Sequence, residues 1–390
     1  MRTSQFIIFL SVVIIVYSLT NLYIFLKGYN SIQAFHNFKL AYLLGYLVLA
    51  LIFFGGKVLE ATHSSVLSDT LNVIGGFWLA FMLYGFLFLF LSDIVALLLL
   101  IPGFINSTNI IVYRKWAYIS TLIISLVLIA GGFINSLIPH VKSYNINITK
   151  SAGQVNELRI ACVSDIHLGS IIRKRSMRNL SAILLSLKPD MVLLLGDIVD
   201  GEIGPVLRGD LLKYFSYPDS REGLYAITGN HEFFGGPAKT LPYIEGKGIR
   251  LLKDEVITTV SGIQLIGRLD RDSRMFFGRE RKPLGELVSE TDPTKPIILL
   301  DHQPVNLAES EKYGIDLELS GHTHNGQLWP LNLIMKKTWE LPYGYLKKGK
   351  TQYIVSSGFG LWGPRVRSGS RSEILLLNIR FGVSQDSSVN

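Results

Sequence analysis

The chain has 390 residues, of which 48% are hydrophobic and only 17% charged, against about 25% charged in an ordinary soluble protein. Residues 1–140 hold six Lys/Arg and three Asp/Glu while residues 141–390 hold 32 and 27, so the net charge of +8 divides as +3 and +5. These values exclude a disordered chain, a disulfide scaffold (Cys162 is the single cysteine) and a nucleic-acid partner held by a clustered basic stripe.

Charge-free stretches run from Thr3 to Leu26, Leu40 to Gly56, Thr70 to Ser92 and Trp116 to Pro139. A helix needs about 20 apolar residues, with roughly 17 as a lower limit, to cross a bilayer core. All four stretches pass, and four in a row do not fit a cleaved signal peptide. The third continues through Asp93 into Ile94–Phe104, which predicts one crossing prolonged as a tilted or interfacial segment. Asp93 reads as a headgroup-level carboxylate in preference to a functional intramembrane one, with no paired partner in view. Trp116, Tyr118, Tyr23 and Tyr42 stand near span ends, where interfacial aromatics sit. The expectation is a multi-pass cell-membrane protein with its N-terminus and C-terminal domain on one side. Flanking cations tie, with Arg2, Lys57, Lys142 and Lys150 on that side and Lys27, Lys39, Arg114 and Lys115 on the other.

Residues 141–156 read as a linker and edge strand, 157–380 as one globular domain, and 381–390 as a flexible tail. Short apolar runs begin at Leu158–Ser164 and recur at Met191–Leu195, Leu224–Thr228, Gln264–Ile266, Ile297–Leu300, Leu317–Leu319 and Tyr353–Ser356. Such runs predict strands buried on both faces. Lys174–Leu187 has helical spacing and ends at Lys188-Pro189-Asp190, a stop signal. The order predicts an α/β or α+β domain with polar residues at the C-terminal ends of strands.

Those ends carry Asp165-Ile166-His167, Gly196-Asp197-Ile198-Val199-Asp200, Gly229-Asn230-His231-Glu232, Asp301-His302-Gln303-Pro304 and Gly321-His322-Thr323-His324. All five histidines outside the membrane part fall in these blocks. Carboxylates, imidazoles and an amide oxygen without thiolates suit divalent Mn, Fe or Zn, and there are enough for two ions. On an extended segment, period-two alternation would aim His322 and His324 to one face and so toward both metals.

The five blocks in this order resemble the calcineurin-like metallophosphoesterase superfamily over about Leu158–Leu377. Its membrane-associated bacterial branch, resembling the YkuE phosphohydrolase, is the nearer match. It shares the block Gly321–Gln327 and a late block like Gly358-Phe359-Gly360-Leu361-Trp362-Gly363-Pro364. The resemblance implies a central β-sandwich flanked by helices and a dinuclear site, with Mn²⁺ as the first choice of ion and Fe or Zn as alternatives. It implies Asp165, His167 and His324 on one ion, Asn230, His302 and His322 on the other, and Asp197 bridging. His231 would be the general acid or transition-state stabiliser, oriented by Asp200. The alternative for Asp200 is a turn cap, and for Glu232 a solvated side chain. Asp301 stands where many relatives have Ser, and is expected to add negative charge near the metals.

Gly358-x-Gly360-x-x-Gly363 spells a dinucleotide fingerprint, but Pro364-Arg365-Val366-Arg367 follows where a helix is required, so it reads as a loop near the site. Cys162 reads as a small buried apolar residue. Arg173, Lys174, Arg175 and Arg178 suit either phosphate and lipid headgroups or a solvated helix face. A second scatter, Arg268, Arg271, Arg274, Arg279 and Arg281 around Asp270, suggests a cap over substrate. Arg173, Arg175 and Arg268 are the candidate substrate contacts.

The leading reading is a membrane-anchored phosphohydrolase in which a metal-bridging hydroxide attacks a phosphoester or pyrophosphate. Its substrate would be lipid-linked, and a UDP-linked acylated glucosamine, cleaved by a bacterial relative of the branch, is the specific candidate. The alternatives are a phosphodiesterase for a cyclic nucleotide or other soluble diester, and a non-catalytic metal-binding membrane sensor.

Overall fold

The structure, a computed structural model, describes residues 3–31, 38–106, 109–153, 155–217 and 219–383. Arg2, His36, Gln154 and the tail from residue 384 lie outside the described residues. The chain divides into two compact units, one comprising residues 1–134 and 363–366, the other residues 135–362 and 367–390.

The first unit contains helices α1 (Thr3–Ser31), α2 (Lys39–Thr62), α3 (Val66–Leu100) and α4 (Asn109–Ser136). Each is long and apolar enough to span a bilayer, and this is a membrane protein. Helix α3 starts at a capping box between Ser65 and Ser68. It runs unbroken past Asp93, as one crossing with an extension would, and ends before Pro102-Gly103. With no hydrophobic drive in lipid, packing and polar contacts hold such helices together. Here Ile24, Tyr46, Trp78, Met82, Leu89 and Tyr118 form the buried core. Trp78 Nε1 donates to Asn21 Oδ1 at 3.2 Å and Tyr46 Oη to the Asn21 carbonyl at 2.8 Å.

Two expectations need correction. Asp93 does have a partner: Lys27 Nζ lies 2.5 Å from Oδ1, and Tyr23 Oη donates to Oδ2 at 2.6 Å. Of the four aromatics expected at the interface, Trp116 is exposed. Tyr118 is buried, while Tyr42 bonds the Phe25 carbonyl and Tyr23 bonds Asp93, because a hydroxyl facing lipid would go unsatisfied.

The second unit is built on two six-stranded mixed sheets. The first contains β1 (His140–Ile148), β2 (Glu157–Val163), β3 (Met191–Leu195), β4 (Gly223–Ile227), β5 (Arg250–Leu251) and β12 (Glu373–Phe381), in the order β1-β12-β2-β3-β4-β5. The second contains β6 (Glu255–Thr258), β7 (Gln264–Gly267), β8 (Ile297–Leu300), β9 (Leu317–Ser320), β10 (Gly344–Lys348) and β11 (Thr351–Val355), in the order β10-β11-β9-β8-β7-β6. Strand β1 is an edge strand, paired parallel to β12, which is antiparallel to β2. The expected helix is α5 (Lys174–Leu187).

Alternate residues of the sheets meet in one core that includes Ile160, Leu193 and Ile227 from the first sheet and Leu265, Leu300, Leu319 and Ile354 from the second. This is a sandwich core, and Cys162 lies in it as expected, its thiol pushed up by burial. The neighbours Val192 and Leu194 of β3 are also buried, as the apolar runs require. Strands β2, β3 and β4 are mutually parallel, as are β7, β8, β9 and β11. Their C-terminal ends therefore deliver the polar blocks. Leu193→Ala should lower the unit's unfolding free energy by about 2–5 kcal/mol, the usual cost of such a core truncation, measured by denaturant titration of detergent-solubilised protein.

Candidate active site

Backbone bonds join the loop after β2 to the loop after β3, and the loop after β8 to the loop after β9. Asp165 N donates to the Gly196 carbonyl at 3.1 Å, His167 N to the Asp197 carbonyl at 2.9 Å, and Gly321 N to the His302 carbonyl at 2.9 Å. Five of the seven expected metal ligands, Asp165, His167, Asp197, His322 and His324, have φ between +48° and +70°. That region is disfavoured for residues with a Cβ and tends to be occupied at functional sites. Gly229 is required for closeness: a Cβ there would stand 2.5 Å from Asp197 N.

Among the described residues three groups of ligand-type side chains result, the third of them His167, Asp200 and His231. Asp165, His167 and His324 present donor atoms within 4.8 Å of one another, and so do Asp197, His302 and His322. His167 Nε2 and His324 Nε2 are 3.0 Å apart, and the latter is 3.6 Å from Asp165 Oδ1. His322 Nδ1 is 2.9 Å from Asn230 Oδ1, which brings Asn230 into the second group. Asp197 Oδ2 lies between the groups, 3.7 Å from His167 Nε2 and 3.1 Å from His302 Nε2, while Oδ1 accepts from His231 N at 2.8 Å.

The donor set fits divalent ions. His302 Nδ1 lies 2.7 Å from the Leu195 carbonyl, an acceptor that fixes the proton there and leaves Nε2 as the ligand atom. That Nε2 is buried and faces Asp197 Oδ2 at 3.1 Å. Burial pushes His322 down to about 3 and takes His324 well below its usual range, so both rings are neutral as metal ligation needs. His302, despite burial, is raised well above its usual range by Asp197 and Asp165. Burial opposes the Asp197 charge, yet His302 and His231 hold its carboxyl well below the usual range.

His322 and His324 reach different groups, but not by strand alternation. Both have left-handed backbone and Thr323 between them is αR, so a turn, not an extended segment, separates the rings.

Asp200 Oδ1 is 3.0 Å from His231 Nδ1 and 3.3 Å from His167 Nδ1, so one carboxylate touches both rings. Burial would raise Asp200, but these two histidines take it below the usual carboxylate range. Burial also disfavours a charged His231, yet Asp197 and Asp200 bring it up to about 9.

Glu232 is fully buried, not solvated. It accepts from Asp197 N at 3.0 Å, Val199 N at 2.9 Å and Gly229 N at 2.7 Å, tying two ligand loops together. Burial and the Asp197 charge push its carboxyl up to about 7.

Arg268 and Arg281 of the arginine scatter are taken up by Asp301. Arg281 donates to both oxygens of Asp301 at 3.1 and 2.7 Å, and Arg268 adds a third bond at 3.3 Å. Arg268 is buried, with Glu309 at 3.5 Å, and its guanidinium is turned into this network. The charge expected from Asp301 is thereby neutralised. Arg271 donates to the Val305 carbonyl at 3.2 Å, and Arg274 pairs with Glu280 on the surface. Asp270, named only as the centre of that scatter, is buried and accepts from Gln303 Nε2 at 3.1 Å. Arg173 is half-buried at the start of α5 and Arg175 is exposed, while Lys174 and Arg178 stack over Tyr214 at 4.9 and 5.2 Å.

The glycine-rich loop is near the site, as read, and no helix follows it. Gly360 N donates to the Asp165 carbonyl at 2.7 Å. Arg367, which the sequence reading passed over, is fully buried and donates to the carbonyls of Ser357, Gly358 and Gly360 at 2.9, 3.1 and 2.6 Å. Its Nη2 also lies 3.3 Å from His324 Nδ1. An arginine in an irregular loop carries no periodic signal, so only its place just after the late block hinted at a role.

A family model for the calcineurin-like phosphoesterases matches residues 158–326, the span of all five blocks. The chain carries a calcineurin-like metallophosphoesterase domain. This is a metal-dependent phosphate hydrolase domain, and its two mixed sheets belong to the fold of that family. An uncharacterized metallophosphoesterase of Campylobacter jejuni is 29% identical over 96% of this chain and 99% of its own length. A transmembrane protein with metallophosphoesterase domain from Danio rerio is 30% identical over 65% of this chain, which spans 60% of that protein. The UDP-2,3-diacylglucosamine pyrophosphatase LpxG of Chlamydia muridarum is 24% identical over 59% of this chain and 86% of its own.

In the phosphoesterase domain, Asp301→Ala should take the shared carboxylate from buried Arg268, which keeps Glu309 at 3.5 Å, and from partly buried Arg281. Removing one partner of a buried pair costs about 3–5 kcal/mol. The expected result is a lower unfolding free energy with an unchanged metal-to-protein ratio in elemental analysis of the folded protein.

Proposed function

We propose that this chain is a membrane-anchored phosphohydrolase with a dinuclear metal centre. Asp165, His167 and His324 would hold one divalent ion, and Asn230, His302 and His322 the other, with Asp197 shared. The observation that carries this reading is the position of Asp197 Oδ2 between the two imidazole groups. When bound, a pair of such ions supplies Lewis acidity and a water acidic enough to act as nucleophile near neutral pH. Mn²⁺ is the first candidate, with Fe or Zn as alternatives, because the donors are nitrogen and oxygen alone.

The chain's own residues do the rest. Glu232 fixes the loops of Asp197 and Gly229-Asn230 relative to each other. His231, held protonated by Asp197 and Asp200, can deliver a proton to the leaving oxygen of a phosphate ester or anhydride. Asp200 orients that ring. A sensor without turnover has no need of this proton donor, which favours an enzyme.

The likeness to LpxG and the four apolar helices support a lipid-linked phosphoester or pyrophosphate, such as a UDP-linked acylated glucosamine, as substrate. We place the protein in the cell membrane, with its N-terminus and catalytic domain on the same side, since four crossings return the chain to where it began.

Asp197→Asn should abolish turnover and lower the bound metal per chain, with the circular-dichroism signature retained because the sheet core is apolar. Full activity in metal-free wild-type protein would overturn the metal mechanism. His231→Ala should slow esters with poor leaving groups by about 10²–10⁴-fold, the range of general acid catalysis, and aryl phosphates much less. An equal loss on both would assign His231 to substrate positioning instead.

A further inference from the structure

The 322–324 histidine loop is followed at once by an element that the phosphohydrolase reading does not use. Helix Leu331–Thr338 has no buried residue, although Leu331, Leu333, Ile334 and Met335 make half of it apolar. Leu333 and Ile334 are each 50% exposed. A helix in a soluble domain ordinarily lays its apolar side chains on the core, so eight residues with none fully buried, and Leu333 and Ile334 open, call for another apolar phase.

Its surroundings specify that phase. Trp329, just before the helix, and Trp362 are 40% and 58% exposed. Tryptophan favours the boundary between hydrocarbon and headgroups. Lys336 and Lys337 stand exposed in the last turn, a charge that complements anionic headgroups.

The patch adjoins the reacting groups. The Trp362 ring lies 6.4 Å from that of His231, and the Trp339 ring, just past the helix, 5.6 Å from that of His322. Gln327 clamps Trp362 by donating to its carbonyl at 2.9 Å and accepting from its N–H at 3.0 Å. The tryptophan's backbone is thus tied to the segment that carries the histidines and the helix.

We infer that helix Leu331–Thr338, with Trp329 and Trp362, is a bilayer-docking surface that sets the mouth of the site among anionic lipid headgroups. A substrate with acyl chains then presents its phosphate to the site without leaving the membrane. The kinetic consequence rests on the phosphohydrolase reading; the docking itself does not.

The test uses the full chain in phosphatidylglycerol-containing nanodiscs. Cys162 is fully buried, so a nitroxide reports on one cysteine introduced by Ile334→Cys, or by Lys295→Cys as an exposed control. Docking predicts that the label at 334 collides more with oxygen and several-fold less with a water-soluble nickel chelate than the label at 295. Equal nickel access at both positions overturns the proposal. Low access to both quenchers at 334 also overturns it, since protein and not lipid would then cover the helix. In the kinetic arm, Leu333→Asp/Ile334→Asp should cut turnover of a lipid pyrophosphate in the same discs at least tenfold while leaving a soluble aryl phosphodiester within twofold. Equal loss on both substrates overturns the docking role. Absence of turnover on any phosphate by wild type refutes the phosphohydrolase reading, and the label measurements still decide the docking.

Discussion

The site depends on keeping one carboxylate, Asp197, charged where water cannot reach it. Its charge is held by the groups that face its two oxygens: His231 N on one, the His302 and His167 rings on the other. Those groups come from three further loops and from both sheets. The two sheets must therefore end together, and the left-handed backbone at Asp165, His167, Asp197, His322 and His324 is the local cost of that convergence. Glu232 and Arg367 hold the convergence in place from behind, one by accepting amide protons and the other by donating to carbonyls.

Charge is handled the same way elsewhere in the chain. Asp301 sits next to a ligand histidine but its field is closed off by Arg281 and Arg268. Asp93, within the apolar helices, is met by Lys27 and Tyr23. In each case the partner is far away in sequence, and the pairing keeps a carboxylate from acting at a distance in a low-dielectric setting.

Much of this was legible in the residues. The apolar runs at Met191–Leu195 and Ile297–Leu300 are strands of those bounds because a doubly covered strand has to be continuously apolar. The α5 helix was readable from its spacing and its Lys-Pro-Asp stop. Residues whose meaning lies in a distant contact were less so. Glu232 acts on amides more than thirty positions earlier, and the arginines around Asp270 suggested a cap over substrate until the fold brought Asp301 to Arg268 and Arg281. Tyr23, Tyr42 and Tyr118 fit a membrane interface by position, yet two of them serve helix contacts and the third is buried. Short β5 and half-buried β6 offer too few apolar residues to announce themselves, and β12, coming after the last motif, was not among the expected strands.

Strand β12 also bears on how the domain is made. It lies between β1 and β2, which pair with it and not with each other. Residues 373–381 form the last of the described strands in chain order, yet they lie inside the sheet, next to its edge strand β1. Until they emerge, β1 has no neighbour in the sheet and β2 shows an open edge, the kind of surface on which nascent chains mispair. Premature termination anywhere before Glu373 therefore leaves a product whose helices can insert but whose first sheet cannot close, and such truncated chains should be substrates for membrane proteolysis instead of partially active enzyme.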